Sequence, residues 1–141
     1  KNVELDYLQF HGNETVGFIK NVKKKFKIKL IKALKISNNN DIKKISRFKK
    51  ISDYILIDTK IIKRKNLSFK KKSKKLNWNL LKKIKDKRKL ILSGALNTTN
   101  LQKAIKESGI NFVDVSSSLE IISGKKNIKK INKFLELATK L

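Results

Sequence analysis

Cysteine, methionine and proline are all absent from this 141-residue chain, which has a single histidine and a single tryptophan. Without cysteine, no disulfide, thiolate metal site or cysteine nucleophile can form within these residues. One histidine beside 11 carboxylates is little from which to build a multi-ligand metal site, so none is expected. No apolar run approaches the roughly 20 residues that a membrane-spanning helix needs, which predicts no membrane partner. Arginine is scarce as well, supplying 3 of the 37 basic residues. The formal charge of +26 would ordinarily point to nucleic acid. Nucleic-acid readers, however, use arginine for bidentate contacts and aromatics for stacking, and neither is enriched here. The chain also holds 34 lysines, 19 isoleucines and 14 asparagines against 4 alanines. Lysine, isoleucine and asparagine have A/T-rich codons, so gene base composition accounts for the charge without a nucleic-acid ligand.

Five segments read as strands: Leu5–Gly12, Phe26–Ile36, Asp53–Thr59, Leu90–Ser93 and a run through Phe112, Val113 and Val115. A helical pattern follows each of them. Phe18, Ile19 and Val22 share a face behind a cap at Asn13, and Ile42, Ile45 and Phe48 share one behind Asn38–Asn40. Leu80, Leu81 and Ile84 form a third face, which Trp78 is expected to anchor against the sheet. Leu101, Ala104 and Ile105 follow Thr98 or Thr99 as cap and stop at Gly109. Ile128, Ile131, Phe134, Leu135 and Ala138 complete the last face. Alternating strand and helix predicts an α/β fold with a parallel sheet, as a single domain over residues 1–141. The many lysines on these segments are read as solvated faces. Strand-like sequence begins almost at Lys1, as expected of a chain whose preceding part is missing.

Chemistry gathers at the strand ends. Leu90–Ser93 runs into Gly94 and Ala95, and the last strand runs into Ser116, Ser117 and Ser118. Small residues after two parallel strands let backbone N–H groups approach an anion, and a following helix N-terminus adds partial positive charge. Gly94, Ala95, Ser117 and Ser118 are therefore candidate phosphate-binding residues. His11 and Asp58 also stand at C-terminal strand ends, where (β/α)₈ barrels carry their catalytic groups. Taken alone, His11 reads as a hydrogen-bonded, non-catalytic ring and Asp58 as a loop-start turn cap.

Four segments together carry a resemblance: LQFHGNE at Leu8–Glu14, ILIDT at Ile55–Thr59, LSGALN at Leu92–Asn97 and DVSSSLE at Asp114–Glu120. In order and spacing they resemble VQLHGDE, ILLDT, LSGGLN and DVSSGVE of phosphoribosylanthranilate isomerase, a tryptophan-pathway barrel enzyme. GKKN at Gly124–Asn127 is similar to the segment that follows in that family. The resemblance implies a partial (β/α)₈ barrel: about five C-terminal βα units, four to eight, with the N-terminal half of the barrel missing. It implies an aldose-to-ketose isomerisation by acid–base catalysis on a phosphorylated small molecule in the cytoplasm, with no cofactor. Asp58 takes the general acid's position, and His11 and Asp114 take substrate-lining ones. The family's base is a cysteine on the first strand, which this chain does not reach. Two glycines of the signatures are replaced, by Ala95 and Ser118, so restoring both is expected to tighten phosphate binding. A glycine-rich loop before an FDW motif is replaced by Lys70, Lys71, Lys72, Ser73 and Lys74 before Leu76-Asn77-Trp78. Another phosphate-binding barrel, or a basic nucleic-acid-binding protein, remains the alternative.

Overall fold

The computed structural model describes residues 4–59 and 78–141. Lys70–Lys74 and the Leu76-Asn77 pair lie outside the described residues. The elements in chain order are β1 (Tyr7–Phe10), α1 (Val16–Phe26), β2 (Lys29–Ile36), α2 (Asn39–Lys49) and β3 (Tyr54–Thr59). A 3₁₀ helix (Trp78–Lys83), β4 (Leu90–Ser93), α3 (Leu101–Ser108) and a 3₁₀ turn (Ser117–Leu119) follow. A small hairpin of β5 (Glu120–Ile122) and β6 (Lys125–Lys126) leads into α4 (Ile128–Ala138).

Among the described residues β1 to β4 form one parallel sheet in sequential order, with α1 between β1 and β2, α2 between β2 and β3, and the Trp78–Lys83 3₁₀ helix ahead of β4. Period-two alternation sorts their side chains. Leu34, Ile36, Ile55, Ile57, Leu90 and Leu92 face the helices and pack with Ile45, Trp78, Leu81 and Ala104. Ala33, Leu56 and Ile91 point the other way and make a second apolar layer with Ile31 and Tyr54. Both sheet faces are thus apolar, as in a barrel wall. No helix among the described residues is long and apolar enough to cross a membrane.

Local chemistry explains the boundaries. Thr15, not Asn13, caps α1, its hydroxyl oxygen accepting from the Phe18 N–H at 3.1 Å. The preceding Glu14 is held by other bonds, which delays the helix start. Lys23, Lys24 and Lys25 fall in the last turn, where the helix dipole favours cations. Asn38 caps α2 as expected, accepting from the N–H groups of Asn40 and Asp41. Burial would raise the Asp41 carboxyl, but hydrogen bonds from Lys44 and Ser37 outweigh it and hold it at about 2. Gly109 closes α3 in the left-handed region at φ 67°, where glycine is unhindered.

Three expectations are corrected. The fifth strand is only a parallel bridge between Val113 and Leu92, with hydrogen bonds Leu92 N–H to Phe112 O and Asp114 N–H to Leu92 O. It stays short because the chain turns into the Ser117–Leu119 helix almost at once. The segment at Trp78 buries its tryptophan in the core, but as a 3₁₀ helix of six residues. The lysines are not all solvated: Lys32 is 2% exposed, because its ammonium is fully occupied inside the fold.

Candidate active site

Sheet register assembles the site. Asp58, near the end of β3, pairs with Lys35 on β2 and with Ser93 on β4. His11 follows the end of β1, and Asp114 follows the Val113 bridge. All five line one cleft of about 540 Å³ at the C-terminal ends of the strands. Gly94, Ala95, Ser117 and Ser118 line the same cleft. Every residue singled out in the sequence for catalysis or binding therefore converges there.

The His11 Nε2 lies 3.5 Å from Asp58 Oδ2, with the two side chains 49% and 27% exposed. An acid and an imidazole thus share one open surface, close enough for both to touch one small ligand. The Ser93 hydroxyl donates to Asp114 Oδ2 at 2.7 Å, fixing that carboxylate against the end of β4. Among the described residues no three His, Asp or Glu side chains converge as a metal site would require.

The two small-residue loops are built differently. Gly94 and Ala95 are successive left-handed residues, at φ 85° and 52°. The Ala95 carbonyl accepts from the Asn100 side-chain amide at 2.9 Å, and Asn100 Oδ1 accepts from the Asn97 N–H at 2.9 Å. Asn97 Oδ1 in turn accepts from the N–H groups of Thr99 and Asn100. Asn97, rather than Thr98 or Thr99, organises the start of α3. In the second loop the Ser118 hydroxyl donates to the Leu96 carbonyl, tying the two loops together. Lys126, from the hairpin, donates to the Ser116 carbonyl at 3.1 Å and to its hydroxyl at 2.9 Å. The hydrogen bond from Lys126 and the Gly124 N–H hold the Glu120 carboxyl below its usual range.

Ala95 and Ser118 consequently differ. Ala95 carries a Cβ at positive φ, which costs about 1–2 kcal/mol for an L residue. Ser118 is not at positive φ, and its side chain makes a bond. Ala95→Gly is expected to stabilise the fold by about 0.5–1 kcal/mol, part of the relief being lost to glycine's greater chain entropy. Ser118→Gly is expected to destabilise it by about 1 kcal/mol, through the lost hydrogen bond. Urea unfolding of the two variants, each made in the full-length protein, checks the opposite signs. Equal signs would mean that the two loops are not built as described.

Lys35 escaped the sequence reading. It stands on the same face of β2 as Ile31 and Ala33, and that parity was the available signal.

The family model for N-(5'-phosphoribosyl)anthranilate (PRA) isomerase matches residues 1–137. The chain belongs to the PRA isomerase family. It is 39% identical over 131 residues to the N-(5'-phosphoribosyl)anthranilate isomerase of Petrotoga mobilis, covering 93% of this chain and 59% of that protein. It is 35% identical to the enzyme of the same name from Methanocaldococcus jannaschii, covering 95% of this chain and 63% of that protein. The crystal structure of phosphoribosyl anthranilate isomerase from Thermotoga maritima superposes with a TM-score of 0.77 at 30% identity, over 97% of this chain and 63% of that one. A PRA isomerase crystallised with reduced 1-(o-carboxyphenylamino)-1-deoxyribulose 5-phosphate also matches, at TM-score 0.77 and 30% identity, over 97% of this chain and 61% of that one. The chain spans about three-fifths of the length of the relatives it matches.

Proposed function

We propose that the protein containing these residues isomerises N-(5'-phosphoribosyl)anthranilate to 1-(2-carboxyphenylamino)-1-deoxyribulose 5-phosphate, acting in the cytoplasm. The observation that carries this reading is the convergence of His11, Asp58 and Asp114 with two small-residue loops in one cleft. The Gly94–Ala95 and Ser117–Ser118 loops receive the phosphate. Asp58 donates a proton to the ribose ring oxygen as the C1'–O bond breaks, and the anilino nitrogen lone pair forms a C=N bond. Loss of the C2' proton to a base then gives an enolamine, which takes a proton at C1' as its C2' hydroxyl gives one up, and so becomes the ketose. Only protons move, so the chemistry needs no redox cofactor. Ring opening uses groups within these residues, while the base that takes the C2' proton comes from elsewhere in the barrel. His11 and Asp114 line the sugar and aromatic ends of the substrate, and Lys35 offers a cation to an anionic substituent. A surface of net charge +26 attracts such a substrate from solution.

The remaining barrel strands belong to chain outside these residues or to a second polypeptide. These 141 residues form a single structural unit of that barrel. The test is chromatographic detection of the deoxyribulose phosphate when the full-length protein meets N-(5'-phosphoribosyl)anthranilate. Catalysed conversion is expected. Activity confined to a different phosphorylated substrate would overturn the assignment.

A further inference from the structure

Lys32 is the outlier among the lysines. At 2% exposure it sits on the helix-facing side of β2, its ammonium 5.7 Å from the ring centroid of Phe48. Burying an ammonium costs several kcal/mol unless its donors are fully matched. Here they are: Nζ donates to Gly12 O at 2.8 Å, to Glu14 Oε2 at 2.8 Å and more weakly to Phe10 O at 3.4 Å. Glu14 completes the arrangement, its Oε1 accepting from the Gly12 N–H at 2.9 Å. Position 12 needs to be glycine for this, since a Cβ there would lie 2.8 Å from Glu14 Oε1. Burial would raise the Glu14 carboxyl, but the hydrogen bond from Lys32 and its neighbours' outweigh it and lower it. Phe10 and Gly12 flank one residue, His11.

We propose that Lys32, with Glu14, is a positioning residue that clamps the backbone on both sides of His11 and so sets its imidazole against Asp58. An apolar side chain could fill the same space at less cost, so the ammonium's distinctive contribution is its directional grip on the strand end. The His11–Asp58 separation of 3.5 Å is the geometry being held. This inference rests on the proposed reading of His11 as a substrate-lining group.

The test uses the full-length enzyme with Lys32→Met/Glu14→Gln, which removes both charges together and so leaves no unpaired buried ion. The expected result is a kcat lower by about ten- to hundredfold, the scale of an ångström-level misplacement, with a smaller change in KM and a retained thermal midpoint. Glu14→Gln alone is expected to lose less in the same direction. Adding His11→Asn to the pair should cost no more than His11→Asn alone, because both act through one group. Parental kcat in the double variant, or losses that add in full, would overturn the clamp. Should His11→Asn by itself leave kcat and KM unchanged, the reading of His11 fails instead. The clamp is then decided by the His11 ring proton resonance, assigned from its loss in His11→Asn. A shifted or broadened line in Lys32→Met/Glu14→Gln supports the clamp, and an unmoved line overturns it.

Discussion

Asp58→Asn in the full-length enzyme is expected to lower kcat by about two to four orders of magnitude, the usual span for a positioned acid or base. That corresponds to about 3–5.5 kcal/mol of lost transition-state stabilisation. The substitution is nearly isosteric, and β3 is held by Ile55, Leu56 and Ile57 on both faces of the sheet, so the fold should be little changed. An amide in the same place can still hydrogen-bond the ring oxygen but cannot give up a proton to it. The loss should therefore appear mainly in kcat, with KM affected less, and with an unaltered thermal midpoint. Steady-state kinetics and a melting curve on the same preparation separate these quantities. An Asn variant with near-parental turnover would remove Asp58 from the mechanism and leave the His11 pair without a catalytic meaning.

The position of Asp58 in the cleft was legible from two rules in a short segment, but taken alone they left it a turn cap, and only the ILIDT resemblance gave it a catalytic reading. Four residues of high β propensity specify a buried strand, and a carboxylate at its C-terminal end falls on the catalytic face. The loops were legible for a similar reason, since glycine and serine after a strand permit close backbone approach. Beta strand β2 was harder. In a strand apolar on both faces, each lysine needs its own reason to be there. Parity puts Lys32 with Leu30, Leu34 and Ile36 among the helices, and Lys35 with Ile31 and Ala33 toward the cleft. Alternating lysine suggests solvent only when one face is wet, and here neither is. Charge composition hid this, because these two lysines look the same in sequence as the many solvated ones. Ser118 was grouped with Ala95 because sequence records the loss of a glycine but not φ. Only Ala95 takes the conformation that glycine would ease. The fifth strand failed differently. Phe112, Val113 and Val115 have strand propensity, but ladder length depends on neighbours that local sequence does not describe. The hairpin at Glu120–Lys126 went unseen because its strands are three and two residues long, too short for an alternation signal.

Prepared alone, these 141 residues are expected to show no isomerase turnover and to associate or fold incompletely. A (β/α)₈ barrel closes with eight strands, whereas the described sheet has four and a bridge. Its inner surface carries Tyr7, Tyr54 and Phe112 in a row, with ring centroids 5.9 and 5.6 Å apart. Leu5, just before β1, is 57% exposed, and Phe112, beside β4 at the opposite edge, is 52% exposed, so apolar area stands open at both edges of the sheet. Among the described residues the outer edge of β1 has no strand partner, and unpaired N–H and C=O groups next to apolar side chains favour association. The chemistry is incomplete as well. The cleft holds Asp58 and the two small-residue loops, but no cysteine occurs in the chain to act as the base that the family resemblance implies. Size-exclusion chromatography and turnover of the isolated 141 residues test both expectations. Mixing them with a fragment that supplies the first three βα units of a family member should restore measurable activity, by pairing the open edges and adding the base. Robust turnover by the isolated chain as a monomer would sink both the assigned base and the need for further strands.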